Sequence, residues 1–255
     1  MNKFDPHSDI LALDFDGVVV DSIEECLVVG YNALAIQQGK PDRISQLDEL
    51  DSDIIHEARR IRNFIRHGQD YVYIHYALQQ KISIENQQDF DRFMTEHESL
   101  NSEFRKHFYT ERARFFNDEP ETWLALNPFY PGIQEFLEKY QPKDQLYIIT
   151  TKLKENVEVI INAAKIDIAS KNILSADQKM SKPLIIEQLL CDNQLNPSAF
   201  HFIDDQVDTL IQAKTTGVNL YLAGWGYNNK DQKIKSRNEQ LCVLTLKVFL
   251  NKFRS

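Results

Sequence analysis

The second half of the chain alternates between short apolar runs and segments with the apolar spacing of a helix. Apolar runs at 145–150, 172–174, 199–203 and 218–222 predict buried strands, and the segments between them predict helices. One more buried strand is predicted near the start of the chain, at 10–13. Strands that alternate with helices are typical of crossover units, so a mainly parallel sheet is expected.

The region between about residues 23 and 128 has a different pattern. Glycine is rare there, strand-like alternation is missing, and apolar residues recur every three or four positions. This spacing predicts several amphipathic helices, including a long one from about 85 to 117. Ser22 with Glu25 three residues later has the form of a capping box, which predicts a helix start.

Together these patterns predict a single α/β core domain that is split by an insertion. The core is expected to comprise residues 1–22 and 129–255, and the all-helical insertion residues 23–128. Residues 226–240, rich in Asn, Lys, Gln and Asp, are expected to form a solvated loop before a last helix.

Composition excludes some classes of function. The chain has 255 residues and a formal net charge of −9, which argues against nucleic acid as a partner. No apolar run approaches the length of a membrane span, and no basic stretch with an apolar core suggests a secretory signal. The three cysteines are scattered without metal-binding spacing. A cytoplasmic location is therefore the expectation.

Two carboxylates follow the first predicted strand. Alternation along an extended chain places Asp14 and Asp16 on the same side, while Gly17 permits a sharp turn after them. Neighbouring carboxylates repel, so one can stay ionised as a nucleophile or metal ligand while the other carries a proton. The pattern alone is also compatible with an ordinary acidic turn.

Two further segments carry groups that suit phosphate oxygens. Thr150 and Thr151 follow the strand at 145–150, where a hydroxyl and free backbone N–H groups are available. Lys182 stands at a helix start before Pro183, where it could balance the charge of a nucleophile and a phosphate. Taken singly, each segment is more typical of an ordinary polar turn or a solvated surface lysine.

A third acidic group ends the strand at 199–203. Asp204, Asp205 and Asp208 would be costly to bury there without a cation. Oxygen-only ligands favour Mg²⁺, which takes one or two carboxylates together with waters and a substrate phosphate. The alternative to a metal site is an ordinary helix N-terminus, where aspartates interact favourably with the helix dipole.

The order of these clusters between predicted β–α units resembles the haloacid dehalogenase-like superfamily. The likeness covers residues 9–22 and about 128–250, and is greatest to the branch with a helical cap, such as phosphoglycolate phosphatase-like and β-phosphoglucomutase-like enzymes. This resemblance implies a Rossmann-like three-layer α/β core with a mainly parallel sheet, and an inserted helical cap domain. It also implies a Mg²⁺-dependent phosphatase that acts on a small phosphorylated metabolite through an aspartyl-phosphate.

The resemblance further implies a role for each matching residue. Asp14 would be the nucleophile, and Asp16 the general acid and base. The candidate residues for binding substrate are Gly17, Thr150, Thr151 and Lys182. The candidate residues for binding magnesium are Asp14, Asp16 through its carbonyl, Asp204, Asp205 and Asp208.

Several alternatives stay open at this point. Asp205 rivals Asp204 as the direct metal ligand, because many relatives have a small residue at the position of Asp205. A phosphomutase would keep the same core residues, and an idle regulatory protein could share the fold. A basic and aromatic segment of the insertion could recognise an anionic leaving group, although a solvated helix face is the simpler interpretation: Arg59, Arg60, Arg62, Arg66, His67, Tyr71, Tyr73 and His75.

Overall fold

The fold is seen in a computed structural model, which describes residues 4–40, 43–177 and 179–254. The chain separates into two compact units. The first unit comprises residues 1–21 and 129–255, and the second comprises residues 22–128.

The first unit contains a parallel sheet. Within the described residues it has six strands: β1 (Ile10–Leu13), β2 (Leu146–Thr150), β3 (Ile173–Ser175), β4 (Phe200–Asp204), β5 (Asn219–Ala223) and β6 (Cys242–Leu244). Their order is β3-β2-β1-β4-β5-β6, and every neighbouring pair is parallel. The α/β fold class and the parallel sheet are therefore confirmed.

Helices make up most of the remaining described residues. Those of the second unit are α1 (Ile23–Gln37), α2 (Ser52–Ile61), α3 (Asp70–Gln79), α4 (Gln87–Glu96), α5 (Asn101–Asp118) and α6 (Pro120–Ala125). Those of the first unit are α7 (Ile133–Lys139), α8 (Lys154–Ala163), α9 (Lys182–Asp192), α10 (Val207–Ala213), α11 (Lys230–Asn238) and α12 (Leu246–Lys252). No helix among the described residues is long and apolar enough to cross a membrane.

Strand β1 lies at the centre of the sheet because its side chains are apolar on both faces. Ile10 and Ala12 pack in a core cluster with residues of β4, β5, α9 and α10. Leu11 and Leu13 alternate with them and are fully buried on the opposite face. Helices therefore cover both faces of the sheet, which is why a short run without polar alternation forms a strand here.

Two local predictions are wrong. Residues 226–240 are not a loop before the last helix, because they contain α11, which Asn229 and Gln232 cap reciprocally, and β6 follows. The long helix expected at 85–117 is divided into α4 and α5 by a 3₁₀ turn at Glu98–Leu100. At this break the Nδ1 atom of His97 lies 2.9 Å from the carbonyl oxygen of Phe93.

The helix start predicted at Ser22 is confirmed, but the capping box itself is not formed. Ser22 precedes α1, but its side chain makes no capping hydrogen bond. The carboxylate of Glu25 instead accepts two hydrogen bonds from Arg112, at 2.9 and 3.0 Å, and one from the indole of Trp123. A buried ion pair thus takes the place of the predicted cap.

The basic and aromatic segment of the second unit is only partly a solvated face. Arg59 and Arg60 are half-buried and pair with Glu24 and Glu57. Four others are buried, which corrects the simpler interpretation for them: Arg62, Tyr71, Tyr73 and His75. Burial of the tyrosines and the histidine follows from α3 being apolar around most of its circumference.

His75 is a buried imidazole, and its Nε2 atom lies 2.8 Å from the carbonyl oxygen of Leu27. Burial lowers its pKa to about 4, and the hydrogen bond to Leu27 opposes this only in part. In the unfolded chain the same group titrates near its ordinary value of 6.5. The unfolded chain therefore binds the proton more tightly, and stability falls as the pH drops from about 6.5 towards 4.

We expect the His75 contribution to the free energy of unfolding to fall by about 2 kcal/mol between pH 7 and pH 5. Urea unfolding followed by Trp123 fluorescence in a Trp225→Phe background reports on the second unit, because Trp123 is buried there. A His75→Gln variant lacks the titrating group and should show a shallower pH dependence. Equal dependence in both proteins would contradict the prediction.

Candidate active site

Three neighbouring strands bring polar residues to one edge of the sheet. Strand β1 lies between β2 and β4, and Leu13 is paired with both Ile148 and Ile203. Asp14 follows Leu13, and its N–H donates to the carbonyl oxygen of Ile203 at 2.8 Å. Since parallel strands end at the same edge, Asp14 and Asp204 are brought side by side.

Asp14, Asp204 and Asp205 form one buried carboxylate cluster. Each residue offers an oxygen, and these atoms all lie within 4.8 Å of one another. All three side chains are buried, with exposures of 5%, 0% and 1%. Hard oxygen donors at such spacing suit a divalent cation, so the donor set fits the metal expected from the sequence.

Lys182 supplies positive charge to this cluster. It is the first residue of α9, and its Nζ atom lies 2.8 Å from Oδ2 of Asp14 and 2.7 Å from Oδ2 of Asp204. Burial disfavours the ammonium, but the two carboxylates outweigh this effect and raise its pKa above the ordinary value. Lys182 therefore stays charged and bridges residues from two strands.

The pKa of Asp14 is raised to about 7, first by burial and then by the charge of Asp204, while Lys182 acts in the opposite direction. One ammonium thus does not fully compensate the buried carboxylates. A divalent cation at the cluster would favour the ionised form of Asp14, which is the form that a nucleophile needs.

The chain turns sharply after Asp14 and Asp16, and two glycines make this turn possible. Gly17 has φ +85° and donates its N–H to the carbonyl oxygen of Val20 at 2.9 Å. A Cβ atom on Gly17 would overlap the Asp205 carboxylate, and one on Gly226 would overlap the Gly17 carbonyl. The predicted turn at Gly17 thus has a steric cause, since Asp205 and the segment around Gly226 pack directly against the backbone.

The segment around Gly226 also holds the carboxylate of Asp205 in place. The backbone N–H of Tyr227 donates to Oδ2 of Asp205 at 2.8 Å, and the Tyr227 hydroxyl donates to Asp21 at 2.7 Å. The indole of Trp225 donates to the Val18 carbonyl oxygen at 3.2 Å. The residues after β5 therefore brace the loop that follows Asp14.

The residues after β2 are arranged around the Thr150 hydroxyl. Thr150 is buried, and its Oγ1 atom accepts a hydrogen bond from the backbone N–H of Lys152 at 3.1 Å. Thr151 is exposed. The Nζ atom of Lys152 lies 3.1 Å from Oδ1 of Asp16. Sequence reasoning assigned no role to Lys152, because the residues around it in the sequence do not distinguish a buried lysine from a solvated one.

Asp208 lies outside the carboxylate cluster that the described residues form. Its Oδ1 atom is 2.6 Å from Nζ of Lys235, and its side chain is 41% exposed. Asp208 belongs to the first turn of α10, so its carboxylate also lies where the helix dipole favours negative charge.

Acidic groups and a buried lysine at the carboxyl edge of a parallel sheet define a class of α/β enzyme with a polar site outside its central strands. The family model described as "Haloacid dehalogenase-like hydrolase" matches residues 11–223. The chain belongs to this hydrolase family, and the family expected from the sequence is confirmed.

Similar proteins agree with this placement. The chain is 23% identical over 225 residues to a protein of Vibrio vulnificus strain CMCP6 named phosphoglycolate phosphatase, covering 86% of this chain and 85% of that one. A haloacid dehalogenase-like hydrolase from Streptococcus pneumoniae has the same fold, with a TM-score of 0.60, 18% identity and coverage of 95% and 96%. So does a "predicted phosphoglycolate phosphatase" from Haemophilus somnus 129PT, with a TM-score of 0.60, 18% identity and coverage of 95% of each chain.

Replacing Lys182 with Met tests the charge balance of the site. We expect Lys182→Met to lower the free energy of unfolding by about 3–5 kcal/mol at pH 8, because buried carboxylates then face each other without the ammonium. The loss should be smaller at pH 5, where protonation of Asp14, whose pKa is raised to about 7, reduces the repulsion. Urea unfolding in the presence of a chelator measures both values.

Lys179→Met provides the matched control, because Lys179 is an exposed lysine three residues earlier in the chain. This variant should change stability by less than about 0.5 kcal/mol at either pH. If Lys182→Met lost the same stability at pH 8 and pH 5, the charge argument would be wrong.

Proposed function

We propose that this chain is a Mg²⁺-dependent phosphatase that hydrolyses a small phosphorylated metabolite through an aspartyl-phosphate on Asp14. The observation that carries the proposal is the Lys182 ammonium within 2.8 Å of Asp14 and 2.7 Å of Asp204, in a buried cluster with Asp205. The ammonium suits a reaction in which the attacking carboxylate and the transferred phosphoryl group are both negatively charged.

The residues present fit the proposed metal. Asp14 and Asp204 would bind it through their carboxylates and Asp16 through its main-chain carbonyl, with Asp205 as the second candidate ligand. Asp204 shares the Lys182 ammonium with Asp14, which favours Asp204 for the direct role. Asp208 would act through waters. When bound, magnesium would offset the negative charge of the phosphoryl group and of Asp14.

In the first proposed step a carboxylate oxygen of Asp14 attacks phosphorus in line with the leaving oxygen. The new bond is O–P on Asp14, and the bond that breaks joins phosphorus to the substrate oxygen. Asp16 gives its proton to that oxygen, so the alcohol leaves in neutral form. Lys182 and the Thr150 hydroxyl stabilise charge on the transferred oxygens.

In the second proposed step water hydrolyses the aspartyl-phosphate. Asp16, now ionised, takes a proton from the water as its oxygen attacks phosphorus. The bond from phosphorus to Asp14 breaks, which releases inorganic phosphate and restores the carboxylate. Asp16 regains the proton that it donated in the first step, so the cycle closes without another reactant.

The substrate class follows from the proposed chemistry and the relatives. A small phosphate monoester is proposed, and the Vibrio vulnificus relatives are named phosphoglycolate phosphatase. Phosphoglycolate is therefore the first compound to place in a panel of metabolite phosphates. A panel with magnesium, run in parallel with a chelator, measures both the substrate preference and the metal requirement.

Asp14→Asn is the direct test of the proposed mechanism. We expect the variant to lose essentially all magnesium-dependent hydrolysis of p-nitrophenyl phosphate, because the amide is a poor nucleophile and a weak metal ligand. Acid-quenched wild-type enzyme should carry a phosphoryl group on the peptide that contains Asp14, measured by mass spectrometry. The same peptide of the variant should carry none.

Asp192→Asn is the matched control, since Asp192 is an exposed aspartate at the end of α9. It should retain wild-type activity. A wild-type protein that hydrolyses no phosphate ester in the panel, or an Asp14→Asn variant as active as Asp192→Asn, would refute the proposed function.

A further inference from the structure

Lys152 is a buried lysine that the proposed mechanism does not yet use. Its side chain has an exposure of 0%, whereas the Asp16 side chain that it contacts is 21% exposed. The Nζ atom of Lys152 lies 3.1 Å from Oδ1 of Asp16. The ammonium is therefore enclosed by protein, while its carboxylate partner keeps a surface that another molecule can reach.

The backbone of Lys152 is held from two strands. Its N–H donates to Oγ1 of Thr150 at 3.1 Å, and its carbonyl oxygen accepts the hydroxyl of Ser175 at 2.7 Å. Thr150 is the last residue of β2 and Ser175 the last residue of β3. The flexible lysine side chain thus starts from a fixed point at the sheet edge, which lowers the entropy lost on placing its ammonium.

Burying an ammonium is unfavourable unless a countercharge lies close to it. In its ionised form Asp16 provides such a charge to Lys152, just as Asp14 and Asp204 do to Lys182. These contacts join the two lysines to different carboxylates of the site. Lys182 contacts the proposed nucleophile and metal ligand, and Lys152 contacts the proposed acid and base.

We propose that Lys152 is a positioning residue for Asp16, holding one carboxylate oxygen so that the other faces the leaving oxygen of the substrate. This inference rests on the proposed phosphatase function. A carboxyl group on a short side chain can rotate, and proton transfer needs an approach within hydrogen-bond distance. An ammonium anchored to two strands restricts that rotation.

The choice of leaving group tests this role. An alkyl phosphate releases a strongly basic alkoxide, so its cleavage depends on proton donation. p-Nitrophenyl phosphate releases a stable phenolate, so its cleavage needs little proton donation. The ratio kcat/KM reports the steps up to departure of the leaving group, so hydrolysis of the aspartyl-phosphate does not enter it.

We expect Lys152→Met to lower kcat/KM for an alkyl phosphate by roughly 100-fold, in line with the contribution of general acid catalysis. The loss for p-nitrophenyl phosphate should be at most about 10-fold, so the ratio of the two substrates should change by at least about 10-fold. Lys152→Arg keeps a cation beside Asp16 and should recover part of the alkyl phosphate activity. Lys171→Met, at an exposed lysine of the same unit, is the control.

A double variant separates positioning from general damage to the site. Asp16→Asn removes the group that Lys152 is proposed to orient, so adding Lys152→Met should change the substrate ratio of that variant by less than about 3-fold. If Lys152→Met does not fold, Lys152→Gln and Lys152→Arg are compared with wild type in the same way.

Equal losses for both substrates would overturn the inference, because a residue that binds phosphate or supports the fold affects every phosphate ester alike. Unchanged kinetics would overturn it as well. These outcomes are distinct from failure of the proposed function, which would appear as a wild-type protein inactive on both substrates and would remove the inference with it.

Discussion

The buried carboxylates at the carboxyl edge of the central strands repel one another, and the site depends on groups that reduce this repulsion. Lys182, at the start of α9, reduces the repulsion, because its Nζ atom lies 2.8 Å from Oδ2 of Asp14 and 2.7 Å from Oδ2 of Asp204. Burial first, and then the charge of Asp204, still raise the pKa of Asp14 to about 7 although Lys182 lowers it, so this single cation does not fully offset the cost of the buried charge. A divalent cation at these carboxylates would supply the positive charge that Lys182 alone does not.

The loop after β1 shows how close packing keeps the acidic residues in place. Asp205 fills the space beside Gly17 that any side chain at that position would need, and Gly226 allows the segment after β5 to lie against the same backbone. Tyr227 then ties this segment to both Asp205 and Asp21. The position of the proposed nucleophile therefore depends on residues that are remote in sequence and carry no reactive group.

Sequence reasoning predicted the parallel sheet because strands buried on both faces are continuous apolar runs, as at Ile10–Leu13. It did not predict β6 or α11. In α11, eight of the nine residues are polar, and Ile234 alone produces no apolar periodicity. Asp14 and Asp204 could be singled out because they follow apolar strands. Lys152 could not, because its burial arises from contacts between segments that no local pattern records.

The position of β1 in the sheet also bears on how the chain folds. Leu11 is paired with Leu146 on one side and with His201 on the other, and the helical unit lies between β1 and β2 in sequence. During synthesis, β1 leaves the ribosome long before either partner, so one of its edges stays unpaired until β2 has emerged and the other until β4 has emerged. Such distant pairing is slow to form because a long loop must close first. An apolar strand that waits for its partners is a natural target for chaperones, and in this chain that strand leads directly into the proposed nucleophile, Asp14.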